Sequence, residues 1–295
     1  MKYLEKHPFV MIVIGVMGIS VSAILVKYSQ APSAVTAAYR LLWTVCLMSP
    51  VVWGKKGCRQ ELLQTDKRTV CVCAASGLAL AVHFTLWFES LKHTTVASST
   101  VIVCTEVVWV AIGYCLFMHG HLSRKEVLAI GIALLGSVCI ALTDSAVGGG
   151  HFYGDMLSLL SAIAVAAYML LGRRARSTIS TTTYTYIVYS FCAAGLVLFC
   201  GIKGQSLVGY GSSAVIVGLL LAVFSTLLGH SIFSWCLKYF SPAFVSASKL
   251  CEPVVAALLA IPLFHEIPKL GQLAGGVLIL AGVVYYSKIE KEDSL

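Results

Sequence analysis

Residues 90–117, SLKHTTVASSTVIVCTEVVWVAIGYCLF, recur without a gap at residues 236–263, CLKYFSPAFVSASKLCEPVVAALLAIPL, at an offset of 146 positions. Identical pairs within these segments and just beyond them include Leu91/Leu237, Lys92/Lys238, Ala97/Ala243, Glu106/Glu252, Ala111/Ala257, His119/His265 and Gly136/Gly282. Charged and glycine positions match as well as apolar ones. The match therefore indicates an internal duplication and not merely a shared apolar composition.

The whole chain is far more apolar than a soluble domain of its length. Of its 295 residues, 58% are hydrophobic and 12% are charged, and the mean hydropathy is +0.88. Apolar runs of about 20 residues, the length that crosses a bilayer, recur throughout. The sequence therefore predicts an all-α integral membrane protein. The first run continues to Val26 with no small-residue cleavage site, which favours a spanning helix over a signal peptide.

Ten spans are predicted, with short connections that leave no room for a soluble domain. They cover residues 8–28, 33–53, 69–90, 96–118, 125–143, 154–172, 181–201, 212–237, 240–264 and 270–287. Each half of the chain, residues 1–146 and 147–295, holds five of them. Because five is odd, the second half crosses the membrane upside down. The predicted fold is thus ten transmembrane helices arranged as two inverted five-helix repeats.

Lysine and arginine predict the orientation of this bundle. Of the 21 basic residues, fifteen lie on one predicted side and four on the other: Lys27, Lys92, Lys203 and Lys269. Positive residues concentrate in cytoplasmic loops. We therefore expect a multi-pass protein of the cell (inner or plasma) membrane with both termini in the cytoplasm.

Composition and motifs argue against several other functions. The net charge of +8 comes from loops with no interleaved aromatics, so no nucleic-acid partner is predicted. The eleven cysteines form no CxxC pair, and no metal site or cofactor is predicted. An intramembrane enzyme is disfavoured because HExxH, GxSxG and GxGD patterns are absent. The lipid bilayer is an expected partner, and the oligomeric state is left open.

Four charged residues are predicted to lie within the bilayer, where an ionisable group is a functional candidate. They are Arg40, Glu106, Lys249 and Glu252. The duplication places Glu106 and Glu252 at matching depths, and a carboxyl that exchanges protons there suits proton coupling. The alternative is structural: Glu252 neutralises Lys249, and Glu106 neutralises Arg40. Glu106 is the preferred carrier, because only Glu252 has a lysine one turn away.

Further candidates are polar or aromatic. His83 and His230 occupy similar places in the two halves and are candidates for binding substrate or protons, although hydrogen-bonded structural roles are equally open. The aromatic candidates for a cavity wall are Trp87, Trp109, Tyr39 and Tyr168, with lipid-facing or interfacial placement as the alternative.

Backbone features are predicted at prolines and glycines. Pro253 cannot donate to the carbonyl of Lys249, so the ninth span is expected to bend there. Small residues let helices approach closely. The glycines expected at such contacts are Gly131, Gly136, Gly275, Gly276 and Gly282.

Motifs in both halves resemble those of the EamA family of the drug/metabolite transporter superfamily. They are His83-Phe84-xx-Trp87-xx-Ser90-Leu91-Lys92 with Val96–Thr100, Gly154-Asp155, Gly172-Arg173, Gly229-His230, Trp235–Tyr239, Ser246, and Glu252-Pro253-Val254 with Glu266. Two places depart from the family pattern: Glu106-Val107 replaces a frequent proline, and His119–Leu122 lacks a frequent acid. The resemblance therefore implies no particular substrate.

The resemblance implies a central cavity and movement of small organic metabolites, often export of amino-acid-like or related compounds. Together with the duplication, it predicts a secondary transporter working by alternating access. No Walker A motif is present, so an ion gradient or the substrate's own gradient would supply the energy. An uncoupled facilitator or channel for small metabolites is the alternative.

Overall fold

Helices make up the regular structure of the described part of the chain, and no strand occurs there. The computed structural model describes residues 8–94, 96–144, 152–255, 258–259 and 270–292. The helices are α1 (Pro8–Ser20), α2 (Ser22–Lys27), α3 (Ser33–Gly54), α4 (Lys56–Gln64), α5 (Lys67–Ser90), α6 (Val96–Cys104), α7 (Glu106–Met118), α8 (Arg124–Asp144), α9 (Phe152–Arg176), α10 (Thr181–Ile202), α11 (Gly211–Leu220), a π-helix π1 (Leu221–His230), α12 (Ser231–Cys236), α13 (Pro242–Lys249) and α14 (Leu270–Glu292). Helices satisfy their own backbone polar groups, as a bilayer requires.

Eight helical segments among the described residues are long and apolar enough to cross a membrane. They are Pro8–Val26, Ser33–Gly54, Lys67–Ser90, Ser99–Met118, Phe152–Arg176, Thr181–Ile202, Gly211–Cys236 and Leu270–Glu292. The all-helical membrane fold is thus confirmed, while the count of ten spans stays a prediction. Large apolar side chains such as Leu116, Phe117 and Val277 point outward and are more than half exposed, as on a lipid-covered surface.

Helices from the two halves of the chain pack against one another. α3 contacts α10 and α11, and α5 lies along both α9 and α10. α1 packs on π1. The buried core accordingly combines side chains from both halves, such as Phe84 and Tyr189. The centre of the bundle is therefore formed jointly by the two halves.

α8 and α14 pack closely through glycines. A Cβ added at Gly136 would lie 2.5 Å from the carbonyl oxygen of Gly275, and one added at Gly282 would lie 2.7 Å from that of Ala129. The expected close approach is therefore present at these positions. It is absent at Gly131, which has no neighbouring atom within 4 Å of such a Cβ, and at Gly276, where the nearest lies at 3.7 Å.

Both helices that carry the duplicated glutamates are interrupted just before the acid. α6 ends at Cys104, and α7 begins at Glu106 after a turn at Thr105. α13 ends at Lys249, and helix resumes at Glu252 after a turn at Leu250 and Cys251. The interruption expected near Pro253 is therefore present. Its counterpart in the first half arises without a proline, with the Thr105 hydroxyl donating to the carbonyl of Ile102 at 2.6 Å.

Candidate functional site

A cavity of about 50 Å³ lies where the two halves meet. Seven of the ten predicted site residues line it: Arg40, His83, Trp87, Glu106, His230, Lys249 and Glu252. These side chains come from α3, α5, α7, π1 and α13, and from the helical turn that follows α13. The cavity is large enough for a few water molecules and has charged and polar side chains in its wall, which are the conditions under which a protein holds buried water.

An ion pair between the halves forms one wall of this cavity. The Nζ of Lys249 donates to Oε1 of Glu106 at 2.8 Å, and the hydroxyl of Ser246 donates to the same oxygen at 3.0 Å. Both charged side chains are about nine-tenths buried or more, with 10% and 6% exposed. The structural alternative of a Lys249–Glu252 pair is therefore wrong: Lys249 bonds to the acid of the other half, and no ion pair among the described contacts joins it to Glu252.

Arg40 is fully buried and pairs with no carboxylate among the described residues. Its Nε donates to the hydroxyl of Thr226 at 2.7 Å, and its Nη1 lies 3.5 Å from that of Ser22. The guanidinium also stacks over Phe84, 4.3 Å from the ring centroid. The alternative of an Arg40–Glu106 pair is therefore wrong as well, since Glu106 is bonded to Lys249.

Glu252 faces the cavity, and its carboxylate accepts no hydrogen bond from any described residue. Its backbone carbonyl accepts a long bond of 3.4 Å from the hydroxyl of Ser20. Its equivalent in the duplication, Glu106, is by contrast held by two donors. The two acids thus occupy unlike environments despite their equivalent positions in sequence.

The two histidines also differ. Nδ1 of His83 lies 2.8 Å from the hydroxyl of Ser161 and 3.2 Å from its carbonyl oxygen. The Ser161 hydroxyl can in turn donate to the carbonyl of His83 at 3.1 Å, so this pair ties α5 to α9. Nδ1 of His230 is buried and has no partner in the described chain. His230 therefore has a buried Nδ1 left for another group, whereas Nδ1 of His83 is occupied by Ser161.

Of the four aromatic candidates, one lines the cavity. Trp87 does so, stacked on His83 with ring centroids 6.0 Å apart. Tyr168 sits beside it, with its hydroxyl 3.0 Å from that of Ser234 and its ring edge-on to His230. Trp109 is half-buried and does not line the cavity, and Tyr39 donates to the carbonyl of Leu207 at 2.8 Å.

Several residues at the site gave no signal in the sequence. Ser22 and Ser225 line the cavity, and Thr226 anchors Arg40. Ser225, Thr226 and His230 all belong to the π-helix π1. π-Helical turns are rare and are often found at functional sites. Uncharged serines and threonines in apolar spans resemble ordinary packing residues, so only coordinates distinguish them.

Two polar contacts join the halves at opposite ends of α3. At one end Glu61 of α4 accepts hydrogen bonds from the backbone N–H of Ser180 at 2.7 Å and from the hydroxyls of Ser180 and Thr183. At the other end lies the Tyr39–Leu207 bond. We call these the Glu61 clasp and the Tyr39 clasp. In the Glu61 clasp, α4 follows the second predicted span of the first half and contacts the second predicted span of the second half, α10. In the Tyr39 clasp, the segment after α10 contacts the second predicted span of the first half, α3.

The Glu61 clasp also lowers the pKa of Glu61. Partial burial raises the pKa of its carboxyl, but the hydrogen bonds from Ser180 and Thr183 outweigh that effect. The net result is a pKa below the ordinary value of 4.5, so Glu61 is charged at neutral pH.

Comparison with known proteins defines the class. The model of the EamA-like transporter family matches residues 8–142 and again residues 152–288. The chain is 24% identical over 283 residues to the uncharacterised transporter YyaM of Bacillus subtilis strain 168, covering 90% of this chain and 88% of that one. It is 26% identical over 227 residues to an uncharacterised transporter of Archaeoglobus fulgidus, covering 77% and 78% of the two chains.

A solved crystal structure superimposes with a TM-score of 0.78 at 15% identity, covering 98% of this chain and 99% of that one. At this identity the likeness shows the fold alone. The helical membrane fold and the matched relatives together define a multi-pass membrane transporter. The chain belongs to the EamA-like transporter family, which confirms the resemblance noted in its sequence.

Proposed function

We propose that the protein is a secondary transporter that moves small organic metabolites across the cell membrane by alternating access. In this proposal residues 1–146 and 147–295 are inverted repeats, and the face that carries α4 is cytoplasmic, as are both termini. Export is the proposed direction, as the family resemblance implies. Proton exchange at an intramembrane acid would supply the energy.

One observation carries this proposal: the Lys249–Glu106 ion pair bridges the two halves beside a polar cavity. Buried charges in a membrane are expensive and mark substrate or ion pathways. Because each partner belongs to a different half, relative movement of the halves would change this pair and the cavity together. Alternating access needs such a link between movement of the two halves and a change at the binding site.

The size of the cavity supports a moving carrier over a static pore. A space of about 50 Å³ holds water but is too small for a typical metabolite, so the bundle must widen around a substrate. The turns at Thr105 and at Leu250–Cys251 are suitable hinges, because each interrupts the helical ladder next to a charged site residue.

The preferred proton carrier is now Glu252 and not Glu106. Glu106 is held by Lys249 and Ser246, and taking up a proton would remove the negative charge that neutralises the Lys249 ammonium. Glu252 faces the same cavity, and its carboxylate accepts no hydrogen bond from a described residue. An acid inside a membrane that lacks a bonded counter-charge is a candidate for the ion pathway.

The test is a metabolite screen in proteoliposomes, with and without a pH gradient. The wild-type protein should accumulate at least one compound against its gradient when the pH gradient is imposed. Glu252→Gln should lose accumulation but retain exchange, because Gln keeps shape and hydrogen bonding but does not ionise. Glu89→Gln is the matched control, since Glu89 pairs at the surface with Lys92.

The outcomes separate the alternatives. If the wild-type protein only equilibrates a metabolite across the membrane, with or without a pH gradient, the protein is an uncoupled facilitator. Full coupling in Glu252→Gln would exclude Glu252 as the carrier. Absence of movement for every metabolite class would refute the proposed function.

A further inference from the structure

Arg40 has binding capacity that the protein itself leaves unused. Its side chain is fully buried, yet its Nη2 has no hydrogen-bond partner in the described chain. Its remaining contacts are two neutral hydroxyls and the face of Phe84. A buried donor left unbonded costs about 1–3 kcal/mol, and more when the group is charged. A buried group of this kind needs a partner, which can be a water molecule, an ion or a bound molecule.

The charges around the cavity leave Arg40 without a partner. Two cations and two carboxylates line it, and the Lys249–Glu106 pair accounts for one of each. Arg40 and Glu252 remain, with no ion pair between them among the described contacts. A bound molecule that carries one negative charge would therefore neutralise Arg40 without displacing an existing salt bridge.

Other unbonded polar atoms surround the same space. Eight buried side-chain nitrogen or oxygen atoms lack partners in the part of the chain described, and four of them belong to residues that line this cavity: Arg40 Nη2, Trp87 Nε1, Ser225 Oγ and His230 Nδ1. Two of the four are obligate donors, and the other two can donate. The set is therefore complementary to a group that accepts several hydrogen bonds.

We propose that Arg40 binds a carboxylate of the transported molecule, and that the substrates are small monocarboxylates. This deepens the proposed function and rests on it. A carboxylate matches the planar fork of a guanidinium with two parallel hydrogen bonds. Its single charge equals that of the one cation left unpaired. Glu252, on the same cavity, then receives either a proton or an amino group of the substrate.

Matched compounds test the carboxylate directly. The purified full-length protein is heated in detergent with L-alanine, L-leucine, L-phenylalanine or L-threonine, with the corresponding amino-acid amides, and with the corresponding acids that lack the amino group. At least one carboxylate should raise the melting temperature, and its amide should not. If acids without an amino group suffice, Glu252 receives a proton. If only amino acids stabilise, it receives the amine.

Variants of Arg40 provide the second arm. Arg40→Gln should abolish the stabilisation, and Arg40→Lys should weaken the apparent affinity about tenfold, because an ammonium group cannot form the paired bonds. The acid–amide comparison needs only the wild-type protein, so it stands even if Arg40→Gln fails to fold.

The proposal is overturned if amides stabilise as well as acids, or if no carboxylate stabilises the protein at millimolar concentration. It is also overturned if Arg40→Gln folds and binds a carboxylate as tightly as the wild type. If the protein binds carboxylates selectively but moves none of them in proteoliposomes, the proposed transport function is refuted and the proposed binding at Arg40 is not. Transport of a compound that carries no negative charge would refute Arg40's role alone.

Discussion

Lys249 Nζ lies 2.8 Å from Glu106 Oε1, so a lysine of the second half neutralises the acid of the first. The acid nearest to Lys249 in sequence, Glu252, is left without this partner. This ion pair between the halves makes them electrostatically dependent on each other at the centre of the bundle.

Removing one partner of this pair should destabilise the protein. Glu106→Gln leaves the Lys249 ammonium without a counter-charge in an apolar bundle, for which we expect a loss of about 3–5 kcal/mol. The double variant Glu106→Gln/Lys249→Met should recover most of it. Thermal unfolding in detergent measures both. A double variant as unstable as the sum of the single ones would show that the pair does not couple the halves.

The Glu61 clasp predicts a pH-dependent contribution to stability. Because the folded-state pKa of Glu61 is lowered, its contribution is present above the ordinary value of 4.5 and is lost as the pH falls below it. Glu61→Gln should therefore lower the melting temperature at pH 7 by about 2 °C, a small shift because the group is partly solvated. At pH 3 the variant and the wild type should converge. An equal difference at both pH values would argue against the clasp.

Glycine packing between α8 and α14 predicts opposite results at two neighbouring positions. Gly136→Ala would place a methyl group 2.5 Å from the carbonyl oxygen of Gly275, and separating the helices should cost about 1–3 kcal/mol. Gly131→Ala meets no atom within 4 Å and should be neutral or slightly stabilising. Both are compared by thermal unfolding. Similar melting temperatures for the two variants would contradict this packing.

The proposed orientation is open to cysteine labelling in a cysteine-depleted background. Lys203→Cys should react with an impermeant thiol reagent in intact cells, and Lys56→Cys only after permeabilisation. Lys269, also predicted outside, falls beyond the described residues. If position 56 reacts in intact cells and position 203 only after permeabilisation, the proposed orientation is inverted. If both positions react from the same side, the chain crosses the membrane an even number of times between them.

The large-scale organisation could be predicted because it rests on repetition and length. The match around Glu106 and Glu252 indicated the duplication, and apolar runs of bilayer length indicated the spans. The charged side chains of the cavity also stood out, because a charge in an apolar run is conspicuous in any sequence. All four charged candidates line the cavity, as do His83, Trp87 and His230, so that seven of the ten candidates are found there.

The pairing of those charges could not be predicted. Sequence proximity favoured Lys249 with Glu252, but packing of the halves places Glu106 Oε1 2.8 Å from Lys249 Nζ. Distances between halves are not encoded in local spacing. Ser22 and Ser225 were missed because a serine in an apolar span is common, and its role depends on which helix it faces.

The π-helix π1 makes the composition of the site depend on helical register. In an α-helix, residues five apart diverge by about 140°, since each residue turns by 100°. The i→i+5 ladder of Leu221–His230 instead stacks such residues, and Ser225 and His230 are five apart. Tightening this segment into α-helical register would turn one of them away from Arg40 while the span remained in place. The membrane segment would thereby gain or lose a ligand-facing side chain through a change of winding alone.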